Sequence, residues 1–562
     1  MRSRLLTALL AAILLPAALL RLSALTASPP GVWLDEAIGA LQGDALVEGR
    51  RLPDEGPSRF PRWPLWSAAE GVVARILGPT VPAARLPAAL AGLLAVALAW
   101  PAARVFGGPV AGASAAAFLA GSLWHVTASR LALPCILVTV ETLLVGWLLL
   151  RDEPLGPLSG AALVVVSAAA PLGYASSLVT PLLAAGLLVL RIRARGARGF
   201  RTELAVLAIL VAGAAAVLLA QPDSLHRSRF IAGLGAAEPA GWLRQSGRVA
   251  LNWVAGESGR WGYWHNYPAA APRVSRVELL LVVFGVIALV RGGAPPWKRL
   301  ALLGWAALAL IPEVAPGEDL HLLRGLPTLA PGAIAAGCGA ALLARTAGRP
   351  GAVVLAVLLA ANAARTGWIT LNVMPRDPVA RSWYAAADRE AAEVVAAAAA
   401  TEPVALTPAP TCAGSPLLLF HLRGLLRTGR ILGADIALAD PRIERVIRSP
   451  VSGDPIIFVF RSARRLDGRP HLGISSIDGL LAYGREALAT GRARDAEAHF
   501  RSVLAWSPDS PEAHGALGLA LAARGRWREA AVHLMIARPA SPAGSVCAVA
   551  LAEAERRLGP SR

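Results

Sequence analysis

The chain is predicted to be a polytopic α-helical membrane protein with about 11 transmembrane helices, followed by a small α+β region and a C-terminal segment of helical repeats. Three observations predict this class. Hydrophobic residues make up 55% of the 562 residues and charged residues only 16%, whereas a soluble domain has about 25% charged residues. Residues 1–373 contain many apolar runs close to the ~20 residues that cross a bilayer. Beyond residue 477, matching residues recur at a spacing of 34.

The apolar runs predict how the chain crosses the membrane. They lie at about 5–25, 86–105, 109–127, 131–150, 155–171, 173–190, 204–220, 277–290, 300–313, 326–344 and 351–372. The first run follows Arg2 and Arg4 and lacks an early small-residue cleavage site, so we expect a retained anchor. Arginine-rich connections follow alternate runs, and such connections stay cytoplasmic. We therefore expect a bacterial inner-membrane protein with a cytoplasmic N-terminus and polar segments 27–84, 221–276 and 374–562 outside.

The strong positive charge does not predict a nucleic-acid partner. The formal net charge is +18, yet Lys298 is the only lysine and the remaining basic residues are arginines. Many of these arginines lie in predicted cytoplasmic connections, so the charge mainly reflects topology. The four cysteines, Cys135, Cys338, Cys412 and Cys547, form no CxxC pair. They indicate neither a zinc site nor a disulfide framework.

The polar C-terminal part is predicted to contain two further domains. Residues 374–476 mix short apolar runs such as Ile456–Phe460 with helix-like stretches such as 385–400, which indicates a small α+β domain. Residues 477–562 then carry the repeat. Its matched pairs are Gly484 and Gly518, Gly491 and Gly525, Ala496 and Ala530, Phe500 and Leu534, and Pro508 and Pro542.

A period of 34 with small residues at fixed places is typical of tetratricopeptide repeats. We predict two repeats, 477–510 and 511–544, followed by a capping helix at 545–558. A generic pair of helical hairpins explains five matches at one period less well. Two repeats supply a small concave surface, which serves either to dock a protein partner or to pack on the preceding domain.

An acidic pair follows the first apolar run. Asp35 and Glu36 are flanked by Trp33 and Leu34 at the predicted membrane edge. Ionised groups are costly near the low-dielectric boundary and are often functional there. A carboxylate at this place could accept a proton from an attacking hydroxyl or hold a divalent ion. The alternative is that the pair caps a short helix over 37–48, because acidic residues favour a helix N-terminus.

Short elements later in the chain extend this pattern. They read Arg62-Trp63-Pro64-Leu65, Arg85-Leu86-Pro87-Ala88-Ala89-Leu90, Ser129-Arg130 and His321-Leu322-Leu323-Arg324. These motifs have the order along the chain and the predicted side of the membrane that are typical of the GT-C membrane glycosyltransferases. Residues 1–373 therefore resemble that class, specifically the protein O-mannosyltransferase and aminoarabinose-transferase-like group. The resemblance implies transfer of a sugar from a polyprenyl-phosphate-linked donor to a glycan, lipid or protein acceptor of the cell envelope.

The resemblance also implies roles for particular residues. Asp35 would act on the acceptor with Glu36 adjacent, while Arg62 would neutralise the donor phosphate. His321 and Arg324 would meet the same phosphate, or they pair with nearby acidic residues.

The sequence leaves two alternative roles open for each of three other residues. Arg130 would bind a phosphate, or it is an interfacial arginine whose head group extends to the membrane surface. His265 and Asn266 lie in an aromatic cluster, which would contact a sugar or form part of an interfacial belt.

The chain departs from the family pattern at two positions. Cys135 stands where the family element has an acid, and Trp63 stands where a proline is usual. If a second acid or a divalent metal is needed, it would have to come from another group such as Asp54, Glu55 or Glu141. A catalytically degenerate scaffold that binds a lipid carrier, or recruits an envelope partner through its repeats, is therefore the alternative to a transferase. A transporter is less consistent, because Glu141 is the main acidic residue within the apolar runs.

Overall fold

The structure is a computed structural model that forms two compact units, Met1–Tyr384 and Ala385–Arg562. It describes residues 2–50, 63–195, parts of 203–213, 239–255, 274–292, 294–314, 323–401, 404–407, 416–433, 441–448, 455–462, 471–542 and 544–559. The first unit extends past the predicted boundary at 373, and the second unit contains both the predicted α+β region and the predicted repeats.

The first unit is built from helices. They are α1 (Arg2–Leu22), α2 (Leu34–Val47), α3 (Pro64–Leu77), α4 (Val81–Gly121), α5 (Leu123–Ala128), α6 (Leu137–Leu150), α7 (Pro157–Gly173), α8 (Val179–Arg195), α9 (Pro239–Ala255), α10 (Arg276–Val290), α11 (Pro296–Val314), α12 (Leu329–Trp368) and α13 (Pro378–Trp383). The predicted run at 204–220 lies largely outside the described residues.

The longest helix is two helices joined at a break. A straight helix of 41 residues would be about 60 Å long, roughly twice the apolar thickness of a bilayer. Gly108 breaks it with φ 76° and ψ −162°, a conformation that glycine adopts without a steric penalty. A Cβ placed on Gly112 would lie 2.8 Å from the Trp100 carbonyl, so the second half folds back on the first. This agrees with the two runs predicted at 86–105 and 109–127.

Three helical segments in the described part of the chain are long and apolar enough to cross a membrane: Val81–Gly121, Ala175–Ala194 and Leu326–Val373. Shorter apolar helices cover Ala8–Leu22, Pro134–Leu150 and Pro157–Gly173. The structure therefore gives a helical unit of membrane-protein character. The count of eleven spans and their orientation stay predictions.

Small residues allow the central helices of the first unit to touch backbone to backbone. A Cβ on Gly285 of α10 would lie 1.9 Å from the Ala335 carbonyl of α12. A Cβ on Gly339 of α12 would lie 2.1 Å from the Leu281 carbonyl of α10. Packing of this kind holds membrane helices together, because burial of apolar surface gives no driving force between helices already in lipid.

In its described residues, the second unit contains a five-stranded sheet in the order β2-β1-β5-β4-β3. Its strands are β1 (Val404–Thr407), β2 (Ile431–Gly433), β3 (Pro441–Arg448), β4 (Pro455–Ser462) and β5 (His471–Ser475). Strand β1 pairs in parallel with β2 and β5, while β3, β4 and β5 pair antiparallel. Helices α14 (Ala386–Thr401) and α15 (Pro416–Arg427) share a core with the sheet.

The helices after the sheet follow the predicted 34-residue period. They are α16 (Ile477–Ala489), α17 (Ala493–Trp506), α18 (Pro511–Ala523), α19 (Trp527–Ala537) and α20 (Val546–Leu558). A Cβ on Gly484 would lie 2.3 Å from the Phe500 ring, and a Cβ on Gly518 would lie 2.6 Å from Leu534. The two glycines are therefore the places where each pair of antiparallel helices comes closest.

Candidate functional site

Glu36 lies in the first turn of α2 and is almost fully buried, at 1% exposure. Its Oε1 accepts hydrogen bonds from the Trp33 backbone N–H at 3.0 Å and from Arg85 Nη2 at 3.2 Å. Its Oε2 accepts from Arg85 Nε at 3.0 Å and from the Ala132 backbone N–H at 2.7 Å. These four donors occupy the acceptor positions of the carboxylate. The capping alternative therefore holds for Glu36, although the residue also forms a buried ion pair.

Arg85, at the start of α4, is the partner of Glu36 and is 0% exposed. Its Nη1 donates to the carbonyls of Leu25 at 2.8 Å and Pro29 at 3.0 Å, and its Nη2 donates to the carbonyl of Gly31. One guanidinium thus ties the segment between α1 and α2 to α4. Arg85 belongs to the element Arg85-Leu86-Pro87, for which the sequence alone predicted no role.

Arg130 holds the same segment from another side. Its Nε and Nη2 donate to the Ser28 carbonyl at 3.1 and 2.7 Å, and its Nη1 donates to the Leu20 carbonyl at 2.6 Å. Its Nη2 also donates to the carbonyls of Ser23 at 2.8 Å and Ala24 at 3.2 Å. The side chain is 0% exposed, so it does not extend to a membrane surface. Its role toward a phosphate stays a prediction, and its contacts in the structure are with backbone carbonyls.

Asp35 lies beside Glu36 on the first turn of α2 and is half-buried. It shares a face of the helix with Gly39, because residues four apart are neighbours on a helix surface. The position of a Cβ on Gly39 is 3.2 Å from Glu70 Oε2 and 3.9 Å from the Trp63 ring. Glu70 of α3 is buried and accepts a hydrogen bond from Trp66 Nε1 at 2.8 Å. Glu70 was not among the residues that the sequence predicted for the site.

Helices α2 and α3 form a tightly packed pair that supports the acidic turn. A Cβ on Gly43 would lie 2.3 Å from the Ser67 carbonyl, and a Cβ on Gly71 would lie 2.2 Å from the Gly43 carbonyl. Trp63, which replaces a proline of the family pattern, has its ring centroid 6.3 Å from that of Tyr174. Such close packing leaves α2 little freedom to move relative to α3.

Several predicted site residues cannot be placed. Arg62, His265, Asn266 and His321 lie outside the described residues, as do Asp54 and Glu55. Arg324 is half-buried in the turn before the short helix Leu326–Thr328, and its carbonyl accepts from Ser176 Oγ at 3.4 Å. Glu141 accepts from Thr180 Oγ1 at 2.9 Å.

The position at which the resemblance implies an acidic residue is fully buried. Cys135 is 0% exposed and lies in the short helix Pro134–Ile136. Among the described residues, no group of three or more His, Cys, Asp and Glu side chains could hold a metal ion. Glu36 offers no oxygen to a metal in this arrangement, because N–H donors occupy both of its oxygens. The described residues therefore do not match the donor set that a divalent ion needs.

Comparison with known protein families identifies the C-terminal segment. The tetratricopeptide-repeat family matches residues 487–545. These residues form tetratricopeptide repeats. The prediction of tetratricopeptide repeats from the 34-residue period is therefore confirmed, while the bounds of the two repeats and of the capping helix stay predictions. A comparison with curated protein sequences gave no match.

Comparison with solved structures gave matches over the larger part of the chain. The archaeal oligosaccharyltransferase AglB from Archaeoglobus fulgidus, in complex with an inhibitory peptide and a dolichol-phosphate, is similar at 12% identity and a TM-score of 0.43. That match covers 66% of this chain and 56% of AglB, so this chain spans about half the length of that protein. ArnT from Cupriavidus metallidurans, bound to undecaprenyl phosphate, is similar at 15% identity and a TM-score of 0.43, covering 76% of this chain and 89% of ArnT.

Proposed function

We propose that this protein is a membrane glycosyltransferase that moves a sugar from a polyprenyl-phosphate donor to an envelope acceptor on the extracytoplasmic face of a bacterial inner membrane. The observation that carries the proposal is the acidic turn after α1, which two fully buried arginines hold in place. Burying Arg85 and Arg130 costs solvation energy that good geometry must offset. Two buried arginines on one short segment are expected at a site in which one carboxylate must be held in a fixed position.

The structure favours different roles for the two acidic residues. Glu36 is surrounded by four N–H donors and acts as a positioning residue that fixes the first turn of α2. Asp35 is next along that turn and is the half-buried carboxylate, so we assign it the contact with the acceptor. In the proposed step, the acceptor oxygen bonds to the anomeric carbon while Asp35 takes the hydroxyl proton. The bond from that carbon to the phosphate oxygen breaks, its electron pair leaves on the polyprenyl phosphate, and the anomeric configuration inverts.

Negative charge builds on the departing phosphate, and preplaced cations stabilise such charge best in a site that excludes water. We assign this task to Arg62, Arg324 and His321, following the resemblance. His265 and Asn266 are proposed to contact the sugar. Arg130 enters the proposal as a residue that positions the segment before α2, because backbone carbonyls already accept from its guanidinium.

The test is sugar transfer by the full chain in membranes. Undecaprenyl-phosphate hexoses and pentoses are supplied in turn, and released undecaprenyl phosphate is measured by mass spectrometry. We expect Asp35→Asn to lower release about 10²- to 10⁴-fold, the usual contribution of a general base, with unchanged protein abundance. Glu48→Gln is the matched control, because Glu48 is an exposed acid just past the end of the same helix. Wild-type release by Asp35→Asn would refute the assignment.

The buried thiol of Cys135 favours a second candidate function, a degenerate scaffold that binds a lipid carrier or recruits an envelope partner through its repeats. Such a scaffold would bind undecaprenyl phosphate but release none from any of the supplied donors. The Asp35→Asn variant would then complement a deletion strain as well as the wild-type protein does.

A further inference from the structure

Helix α9 carries large apolar side chains on an exposed face. Leu243 is 75% exposed, Leu251 65% and Val254 53%. At 3.6 residues per turn, these three side chains fall within about 80° of one another around the helix. We call them the α9 stripe. Single apolar residues on a surface need no explanation, whereas a contiguous group of them marks a contact surface.

The place of α9 in the first unit restricts what the stripe can contact. On the adjoining face of α9, Val249 packs on Val314, the last residue of α11. Trp253 and Leu310 border this contact. The Val274 backbone N–H donates to the Trp253 carbonyl at 3.5 Å, and α10 begins two residues later. Helix α9 therefore lies where α11 ends and α10 begins.

The two helices that α9 adjoins coincide with the predicted spans at 277–290 and 300–313. Helix α10 packs backbone to backbone on α12, which belongs to the long apolar segment Leu326–Val373. Val283 and Val286 of α10 are 48% and 49% exposed, and Ile311 near the end of α11 is 39% exposed. A helix that is apolar on its outer side as well is typical of a membrane span. The ends of α10 and α11 thus place α9 at the edge of the acyl-chain region.

Positive charges border the α9 stripe. Arg244 and Arg248 are exposed, and they follow Leu251 around the helix within about 60°. Residues 239–255 contain no aspartate or glutamate. An apolar face flanked by basic residues is typical of a helix that lies in the membrane interface, where the cations meet lipid phosphates. The charge of α9 therefore complements a phospholipid surface.

Helix α9 also contacts the part of the first unit that holds the acidic turn. The ring centroids of Trp253 and Trp124 lie 6.3 Å apart, with the ring planes at 75°. Trp124 belongs to α5, which leads directly to Arg130. Arg130 in turn donates to the carbonyls of the segment before α2. A contact between α9 and lipid would thus set the depth of this segment relative to the membrane surface.

We propose that α9 lies on the surface of the lipid bilayer and binds phospholipid. The α9 stripe contacts the acyl chains, and Arg244 and Arg248 donate to the lipid phosphates. Burial of the stripe removes apolar surface from water, which stabilises the contact. This role goes beyond the proposed sugar transfer and does not depend on it.

The experiment measures the depth of α9 in the full chain, reconstituted into discs of phosphatidylcholine and phosphatidylglycerol. Native cysteines that react with the label are first replaced by serine. Leu243→Cys and Leu251→Cys are spin-labelled one at a time, and collision rates with oxygen and with a water-soluble nickel chelate give the depth of each label. We expect both labels about 5–10 Å below the lipid phosphates. Arg248→Cys is the matched control on the polar border of the same helix, and its label should lie at the phosphates or above them.

Two results would overturn the proposal. Labels at positions 243 and 251 that meet the nickel chelate as often as the label at 248 would show that the stripe faces water. Labels shielded from both oxygen and nickel would show that protein covers the stripe, either this chain or a partner.

A third position guards against a disturbance by the label itself. Val254→Cys repeats the depth measurement elsewhere on the α9 stripe, and hydrogen exchange in residues 239–255 of each labelled chain should equal that of the unlabelled chain. All of these results are independent of sugar transfer, so a failure here leaves the proposed enzymatic function untouched.

Discussion

Replacing Glu36 by glutamine tests the buried ion pair that holds the acidic turn. Glutamine has nearly the same shape but only one acceptor oxygen, and its amide nitrogen is a donor. All four groups that contact Glu36 are donors, so the new amide nitrogen must face either the Arg85 Nη2 and Trp33 N–H pair or the Arg85 Nε and Ala132 N–H pair. The amide N–H groups of the glutamine would then face two N–H donors in a buried site, and those donors would have no acceptor.

The magnitude follows from the burial of both partners. The side chains of Arg85 and Glu36 are 0% and 1% exposed, and Nε lies 3.0 Å from Oε2. Removing one member of such a pair costs about 3–5 kcal/mol, because the other charge stays buried without compensation. We therefore expect Glu36→Gln to reduce the ratio of folded to unfolded protein by roughly 10²- to 10⁴-fold, at 1.36 kcal/mol per decade.

The assay is the free energy of unfolding of the full chain in lipid discs, measured by steric trapping with a tag on α4. Glu48→Gln is the matched comparison, because it removes an exposed carboxylate just past the end of the same helix and should change the free energy of unfolding by no more than about 1 kcal/mol. A Glu36→Gln protein as stable as the wild type would refute the structural role given to the Arg85 contact.

Two predictions concern the repeats and are read by hydrogen exchange in residues 477–558 of the full chain. Gly518→Ala should destabilise the repeats by about 1–3 kcal/mol, because its Cβ would lie 2.6 Å from Leu534. Adding Leu534→Ala to the same chain should relieve this clash. Equal protection from exchange in Gly518→Ala and in the wild type would contradict the prediction. Burial lowers the pKa of His499 from 6.5 to about 4, so the folded repeats bind fewer protons than the unfolded chain between these values. Their stability should be constant above pH 6.5 and fall by about 3 kcal/mol by pH 4; a His499→Gln chain with the same acid sensitivity would contradict this cause.

The repeats and the helical character of the first unit could be predicted because both depend on short-range patterns. Each tetratricopeptide repeat contacts its sequence neighbours, so its packing appears directly as a period. Gly484 and Gly518 match at 34 residues because each must admit a large side chain from the next helix, Phe500 or Leu534. The break at Gly108 likewise falls between two runs that hydropathy alone had separated.

The roles of the charged residues could not be predicted in the same way. Glu36 contacts Arg85 across 49 positions of the chain and Ala132 across 96. The cost of a buried charge depends on which donors surround it, and no local pattern contains that information. The sequence therefore left two alternatives open for Arg130, a phosphate ligand or an interfacial arginine, and it predicted neither the Arg85 contact of Glu36 nor the burial of Glu70.

The amino-acid sequence by itself determined the kinds of elements in this protein: apolar helices, a small α+β region and two repeats of fixed period. Local periodicity and apolar run length specify these, since each depends on residues a few positions apart. The tertiary structure decided that Glu36 is buried among four N–H donors and that Asp35 is half-buried beside it. Both depend on long-range burial, which sets the free energy of every charge and apolar side chain.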